Sequence, residues 1–250
     1  MSDLTFIFAV AGFAFVLAGF VKGVMGQGLP TVAVGIHSQI MSPGEATALL
    51  IVPALITNIW QAWAGPSLGP LLRRLWPTLL ASLLGTWVAT ALGLGLLTPE
   101  AATMARKALG YALIVYGLLG VSRIRLRVPP RTEPWLGPAM GAANGAVATA
   151  TGVFMVPVIP YIQALGLNRD DLVQAQGVSF TVSTLALTVV LLGSGTMNVN
   201  NMLGSLLAVL VTFIGMNIGQ LAREHVAPEV FRLLFFVLML GLGTHLAFFR

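Results

Sequence analysis

A single lysine interrupts the first apolar stretch of the chain, within the segment GFVKGVMGQGLP at residues 19–30. An ammonium group in an apolar run is a candidate functional group because a membrane-embedded charge is costly. The residues around it are mostly glycines, and together they form our candidate anion site in this half of the chain: Lys22, Gly23, Gly26, Gln27 and Gly28.

Glycine and proline predict a break in the helix at this point. Glycine lowers helix propensity and Pro30 has no N–H to donate, so we expect the first helix to end near Met25–Leu29. The next helix would begin at Pro30, which suits a first-turn position. Its free N–H groups and positive dipole end would then face the break, as in anion sites at helix N-termini.

A similar segment, GAANGAVATATGVFMVPV, occurs in the second half of the chain. Alignment of the two segments pairs Gly19 with Gly141 and Lys22 with Asn144, and a two-residue insertion then pairs Gly28 with Gly152. We expect a second break at Val147–Gly152, facing the first across a pseudo-symmetry axis. Its candidate binding residues are Asn144, Gly145, Thr149, Thr151 and Gly152.

Polar stripes follow each break, on the third apolar segment of each half. Asn58 and Gln61 are three residues apart, and Gln176, Ser179 and Ser183 step by three and four, so each set lies on one helix face. We include Asn58, Gln176 and Ser179 among the candidate binding residues. Hydrogen bonding between helices explains such stripes as well as a substrate path does.

Structural explanations exist for the same residues. Glycines in membrane helices often serve close helix packing. Lys22 follows some eighteen apolar residues, so in a fully crossing helix it could extend its ammonium to the membrane surface. Helix capping explains three glutamates that each follow a proline at the start of an apolar run, namely Glu45, Glu100 and Glu229.

Composition places these segments in a membrane. Hydrophobic residues make up 57% of the chain and charged residues 8%, and the mean hydropathy is +0.91, whereas soluble domains carry about 25% charged residues. Ten apolar segments follow one another, in two groups of five. They lack the alternation of barrel strands, so we expect an all-α integral membrane protein. No intramembrane catalytic motif occurs, so we expect no enzyme, no catalytic or metal-binding residue and no cofactor.

The order of the segments predicts two pseudo-symmetric repeats. We expect a first transmembrane repeat at residues 1–122, a basic cytoplasmic linker at 123–134 and a second repeat at 135–250. The positive-inside rule places the linker in the cytoplasm, because it contains Arg123, Arg125, Arg127 and Arg131. If the two short segments of each half form an in-and-back pair, the halves are inverted and their broken or re-entrant helices meet near the midplane. A parallel four-plus-four arrangement is the alternative.

The glycine-rich breaks, followed by the blocks GVFMVPVIPYIQALGL and LVQAQGVSFTVSTLAL, resemble the TauE/SafE family of sulfite exporters, also called the toluene-sulfonate uptake permease family. The resemblance covers nearly the whole chain. It implies a bacterial inner-membrane carrier of small, mostly sulfur-containing anions such as sulfite, thiosulfate or short sulfonates, driven by the proton gradient. The chain departs from the family at Gln27, where glycines commonly continue, and at Lys22, where a small residue is common.

The sequence therefore predicts a secondary transporter of a small anion, embedded in the lipid bilayer, with no nucleic-acid partner and with a homodimer left open. A passive anion channel, a carrier of a non-sulfur organic anion and a non-transporting assembly factor are the alternatives. Few carboxylates fall within the apolar segments, so a coupled proton would travel with the substrate as its weak acid, or through His37 or Glu45.

Overall fold

The protein is a bundle of α-helices in a computed structural model that describes residues 3–95, 97–98, 100–122, 126–197, 199–223, 225 and 227–249. These residues contain ten α-helices and no β-strand. The helices in chain order are α1 (Asp3–Met25), α2 (Leu29–His37), α3 (Pro43–Trp63), α4 (Leu68–Ala91), α5 (Ala102–Val121), α6 (Glu133–Thr151), α7 (Val158–Ala164), α8 (Arg169–Gly193), α9 (Val199–Ala222) and α10 (Pro228–Phe248). The all-α expectation is confirmed.

Five apolar stretches within these helices are long enough to cross a bilayer, which makes the chain a multi-pass membrane protein. They are Pro43–Trp63, Ala102–Val121, Arg169–Gly193, Met202–Ala222 and Glu229–Phe248. The first helix contributes a shorter apolar run, Val10–Met25. Many large apolar side chains on these helices face outward, as lipid contact requires.

The first helix break lies where the glycines predict it. α1 ends at Met25 and α2 begins at Leu29, one residue before the expected start at Pro30. Gly26 and Gly28 both have positive φ angles, 74° and 100°, which L-residues with a side chain rarely adopt. The local conformational preference of glycine thus ends one helix, and Pro30 fits the first turn of the next.

The second break lies later than the sequence predicts. α6 continues through Thr151 instead of ending from Val147 onward, because its backbone hydrogen bonds persist to Gly152, whose N–H donates to the Ala148 carbonyl at 2.8 Å. Gly152 then ends the helix with a φ of 75°. The interruption therefore covers residues 152–157, and the 147–151 stretch predicted as part of it is helical.

Glycines also let two pairs of helices approach closely. A Cβ added at Gly19 or Gly23 of α1 would collide with the α9 backbone at Thr212 and Met216. A Cβ added at Gly141 or Gly145 of α6 would collide with the α4 backbone at Thr78 and Ser82. α1 therefore packs along α9, and α6 packs along α4, by contact of small residues.

Helices α3 and α8 cross at the centre of the bundle and run antiparallel. Asn58 lies beside Thr184, while Ala62 and Gly65, further along α3 and just past its end, accept hydrogen bonds from Gln174 near the start of α8. Around one end of these helices lie most of the described basic residues. We call it the arginine-rich end and define it by Arg73, Arg74, Arg127, Arg131, Arg169, Arg223 and Arg232. Arg123 and Arg125, on which the linker prediction also rests, lie outside the described residues.

Candidate functional site

The Lys22 ammonium lies inside the bundle and is held by α3. Its Nζ donates to the Thr57 hydroxyl at 3.1 Å and to the Asn58 side-chain oxygen. Only 4% of the residue is exposed. Lys22 therefore turns toward α3 instead of extending along α1 to the membrane surface, which was the alternative interpretation of this residue.

The two acceptors of Lys22 are themselves fixed by further hydrogen bonds. The Thr57 hydroxyl donates to the Pro53 carbonyl at 2.7 Å, which orients its lone pairs toward the ammonium. The Asn58 amide donates to the Thr184 hydroxyl of α8 at 3.2 Å. An ammonium carries three N–H donors, and this arrangement uses two of them. The third has no hydrogen-bond partner among the residues that the structure describes.

No carboxylate pairs with Lys22 anywhere in the part of the chain that the structure describes; the ion pair found there joins Arg74 to Glu133 at the arginine-rich end. Two neutral acceptors stabilise an ammonium less than a carboxylate does. A buried charge without a counter-ion is costly, so the site is suited to binding an anion.

A cavity of about 400 Å³ leads to Lys22 from the arginine-rich end. Its inner wall includes Lys22, Thr57 and Gln61, and its mouth includes Asp170 and Arg223. Burial and the neighbouring Arg169 lower the pKa of Arg223, while Asp170 acts in the opposite direction. A guanidinium still remains protonated at physiological pH. Arg223 therefore supplies positive potential where an anion would enter.

The glycine break contributes to this cavity through one side only. Gly23 and Gly26 line it, but a Cβ on Gly28 would meet Val21 and Phe235, in the packed interior. The Gly26 N–H donates to the Lys22 carbonyl at 2.7 Å and is therefore already occupied. Lys22 itself, more than the end of α2, therefore provides the positive charge in this cavity.

Two glutamines tie the break to the central helices. Gln176 of α8 donates to the Gln27 side-chain oxygen at 3.2 Å. Gln61 of α3 donates to the Gly26 carbonyl at 2.8 Å and to the Val173 carbonyl at 2.7 Å. These bonds hold the irregular backbone after α1 against both α3 and α8, which fixes the position of Lys22.

A second polar cluster surrounds Asn144 on α6. The Asn144 amide donates to the Ser82 hydroxyl at 3.0 Å and to the Ser183 hydroxyl at 3.3 Å. Its side-chain oxygen is buried and has no hydrogen-bond partner among the described residues, and the same holds for the Ser179 hydroxyl. The cluster is therefore an uncharged counterpart of the Lys22 site with acceptor capacity to spare.

The structure divides the candidate binding residues into two groups. Six lie in or beside the Lys22 cavity: Lys22, Gly23, Gly26, Gln27, Asn58 and Gln176. The others are packed elsewhere. Gly145 contacts α4, the Thr149 hydroxyl donates to the Thr86 carbonyl, Thr151 bonds within its own helix end, and Gly152 lies against Thr47. Gly23 combines both roles, since it also packs against α9.

The helix that follows the first break contacts the second break. Thr31, in the first turn of α2, approaches the Met155 sulfur at 3.6 Å. The first break lies beside Gln61, near the C-terminal end of α3, and the second break lies beside Thr47, near the N-terminal end of the same helix.

Several residues of the site were not among the candidates. The polar stripes of α3 and α8 include Thr57, Gln61 and Thr184. The sequence therefore allowed the stripes to be recognised, but it did not predict the contacts of these residues. Ser82 lies four residues from both Thr78 and Thr86 on α4, a polar spacing that could also have been recognised, whereas Arg223 has the pattern of a surface charge. Their roles depend on which helices pack together.

Comparison with known proteins yields a family match. The family model described as Sulfite exporter TauE/SafE matches residues 11–246, which is nearly the whole chain. No curated protein and no solved structure matches the chain.

Proposed function

Because the chain belongs to the sulfite exporter TauE/SafE family, we propose that it is a secondary transporter of a small oxyanion of sulfur, such as sulfite, thiosulfate or a short sulfonate, in the bacterial inner membrane. Membership supports transport and a small anionic substrate. The choice of anion, the coupling and the membrane are our proposal, and so is a homodimer as the assembled form.

One observation carries the proposal: the Lys22 ammonium is buried, bonded to two neutral acceptors and accessible from a cavity. An oxyanion in that cavity would accept the third N–H of the ammonium in a charge-assisted hydrogen bond. Gln61 and Gln174 line the same cavity, but both N–H groups of each amide already donate to backbone carbonyls, so the ammonium is the donor that meets the anion. The substrate would thus act as the counter-ion that the described protein residues do not provide.

The helix pairing supports a carrier built from two inverted repeats, residues 1–122 and 135–250, joined by the basic linker 123–134. The broken helix of each repeat packs on the fourth helix of the other, α1 on α9 and α6 on α4, through the aligned glycines Gly19 and Gly141. The counterparts α3 and α8 run antiparallel, as inversion of one repeat relative to the other requires. Such repeats rock against each other around a central site, so that the site opens alternately to the two sides of the membrane.

A carrier fits the geometry better than an open channel does. The cavity opens toward the arginine-rich end, and beyond Lys22 the side chains of Asn58 and Thr184 close on each other at 3.2 Å. Both residues are almost fully buried. The conformation therefore suits an inward-facing carrier if, as the arginines indicate, this end faces the cytoplasm.

We further propose that a coupled proton travels on the substrate itself. The His37 ring packs at a tilt against Phe15 and bonds to the Ala33 carbonyl, while Glu45 forms the capping box of α3 with Ser42. Neither residue lines the Lys22 cavity. A weakly acidic oxyanion, such as hydrogensulfite, would carry its proton without a protein carboxylate.

Binding to the purified full chain tests the proposal. Calorimetric titration with sulfite, thiosulfate, sulfate, taurine, sulfoacetate and small carboxylates should give saturable binding for at least one sulfur oxyanion. Counterflow of that anion in proteoliposomes should saturate as well. Binding of carboxylates alone would indicate a carrier of a non-sulfur organic anion. Flux that does not saturate would indicate a channel. Absence of all binding would favour an assembly factor.

A further inference from the structure

A second and larger cavity, of about 660 Å³, lies on the other side of the arginine-rich end, away from Lys22. It is formed by the C-terminal part of α5, the linker before α6, the end of α7 and the start of α10. We call it the linker cleft and define it by Tyr116, Leu119, Leu126, Arg127, Gln163, Arg232 and Phe236. Its volume lies within the usual range of small-ligand sites.

The chemistry of the linker cleft changes along its walls. Arg127 and Arg232 are exposed cationic groups, and neither forms an ion pair or a hydrogen bond with another described residue. Leu119, Leu126 and Phe236 make up an apolar wall beside them. Two unpaired guanidiniums next to an apolar surface match a ligand with an anionic head and a hydrocarbon tail.

A buried tyrosine provides a second, independent observation. Tyr116 lines the cleft and is 3% exposed, and its hydroxyl has no hydrogen-bond partner within the residues that the structure describes. Phe235 and Phe236 pack edge-on against its ring. Buried hydroxyl groups are normally satisfied, so an unpartnered one at the wall of a cleft indicates a missing acceptor.

From these features we propose that the linker cleft binds an anionic phospholipid of the adjoining leaflet. Its phosphate lies between Arg127 and Arg232, a headgroup or ester oxygen accepts from Tyr116, and an acyl chain covers Leu119 and Phe236. Basic pockets between transmembrane helices commonly hold such headgroups. The lipid would tie α5 and α10 to the linker that joins the two halves of the chain.

Native mass spectrometry of the full chain released from detergent tests this proposal. The parent protein, incubated with equal amounts of phosphatidylglycerol and phosphatidylcholine, should retain phosphatidylglycerol preferentially. Each guanidinium should contribute about fivefold, so the double substitution Arg127→Gln with Arg232→Gln should lower retention by about 25-fold. The matched control, Arg73→Gln with Arg131→Gln, removes two other arginines at the same end and should retain the lipid.

Three results would overturn the proposal. The double variant could retain phosphatidylglycerol as well as the parent does. The control could lose as much lipid as the double variant, which would reduce the effect to general surface charge. Inorganic phosphate alone could stabilise the parent against heating and leave the double variant unchanged, which would assign the cleft to a free anion. Tyr116→Phe should lower retention by about fivefold, and unchanged retention would remove the hydroxyl from the site.

Discussion

Asn58 and Thr184 join the two halves of the molecule at its centre, where the Asn58 amide donates to the Thr184 hydroxyl at 3.2 Å. Their positions in the chain differ by 126. The same offset relates Pro43 and Arg169, the first residues of α3 and α8. The two residues therefore lie equally far from the starts of their helices, as the proposed pair of repeats predicts. Lys22 binds the same asparagine, so its ammonium is held one hydrogen bond away from the contact between the halves.

Lys22→Met should weaken anion binding by about one to two orders of magnitude, because a charge-assisted hydrogen bond contributes roughly 1.5–3 kcal/mol. Methionine keeps the length and the apolar stem, so the protein should still fold. Calorimetric titration of the best-binding anion measures the change, and size-exclusion chromatography checks the fold. Lys107→Met is the matched control, since Lys107 is exposed on α5, and it should bind like the parent. If the Lys22→Met protein is well folded and its affinity for the anion is unchanged, the anion binds at another site.

Asn58→Asp should abolish anion binding near neutral pH and raise the thermal midpoint of unfolding. The new carboxylate would lie beside the Lys22 ammonium and replace the substrate as its counter-ion, at the cost of the amide donation to Thr184. Asn168→Asp introduces the same chemical change at the exposed N-cap of α8, where aspartate caps as well as asparagine does, so binding should persist. Retained affinity in Asn58→Asp would argue against direct pairing of Lys22 with the anion.

Gly23→Ala should destabilise the protein by about 1–3 kcal/mol, because its Cβ would collide with the Met216 carbonyl oxygen of α9. Gly141→Ala should have a similar effect, through Thr78 of α4. The thermal midpoint in detergent reports the change. Gly12→Ala has open space for its Cβ and should leave the midpoint unaltered or raised, since alanine favours helix. Equal midpoints for all three variants would mean that the α1–α9 and α6–α4 contacts are looser than described.

Labelling of single cysteines tests the orientation of the chain, which has no native cysteine. Thr98→Cys and Ser194→Cys lie at the end opposite the arginine-rich end and should react with a membrane-impermeant maleimide added to intact cells. Arg131→Cys should react only after the cells are opened, because the positive-inside rule places it in the cytoplasm. Protection of both Thr98→Cys and Ser194→Cys in intact cells would reverse the proposed topology.

Collapse of the pH gradient should stop net transport in proteoliposomes when the membrane potential is clamped. The reason is that the proton is proposed to move with the weakly acidic substrate. His37→Gln should preserve the dependence on the pH gradient, since His37 is not part of the Lys22 cavity. Flux that does not depend on the pH gradient would show that transport is not coupled to protons. Loss of the dependence in His37→Gln alone would show that the protein, and not the substrate, carries the proton.

The sequence alone determined the elements and the class of the protein. Ten apolar segments predicted ten helices, and the glycines after Lys22 predicted the end of α1, because glycine and proline act on the backbone of their own neighbours. The predicted helix cap at Glu45, which forms a capping box with Ser42, is likewise a local interaction. The family resemblance was also legible in the sequence, since it rests on the order of these segments.

The tertiary structure decided which residues meet. Nothing in the sequence distinguishes Gly23, which contacts α9, from a glycine that contacts a ligand, because both uses need only a missing side chain. The extension of α6 to Thr151 depends on backbone bonds that small residues allow but do not require. Lys22 could have reached the membrane surface, and it binds Thr57 and Asn58 because the tertiary fold brings α3 within reach of its side chain. Contacts between residues distant in sequence depend on the packing of whole helices, which local preferences do not specify.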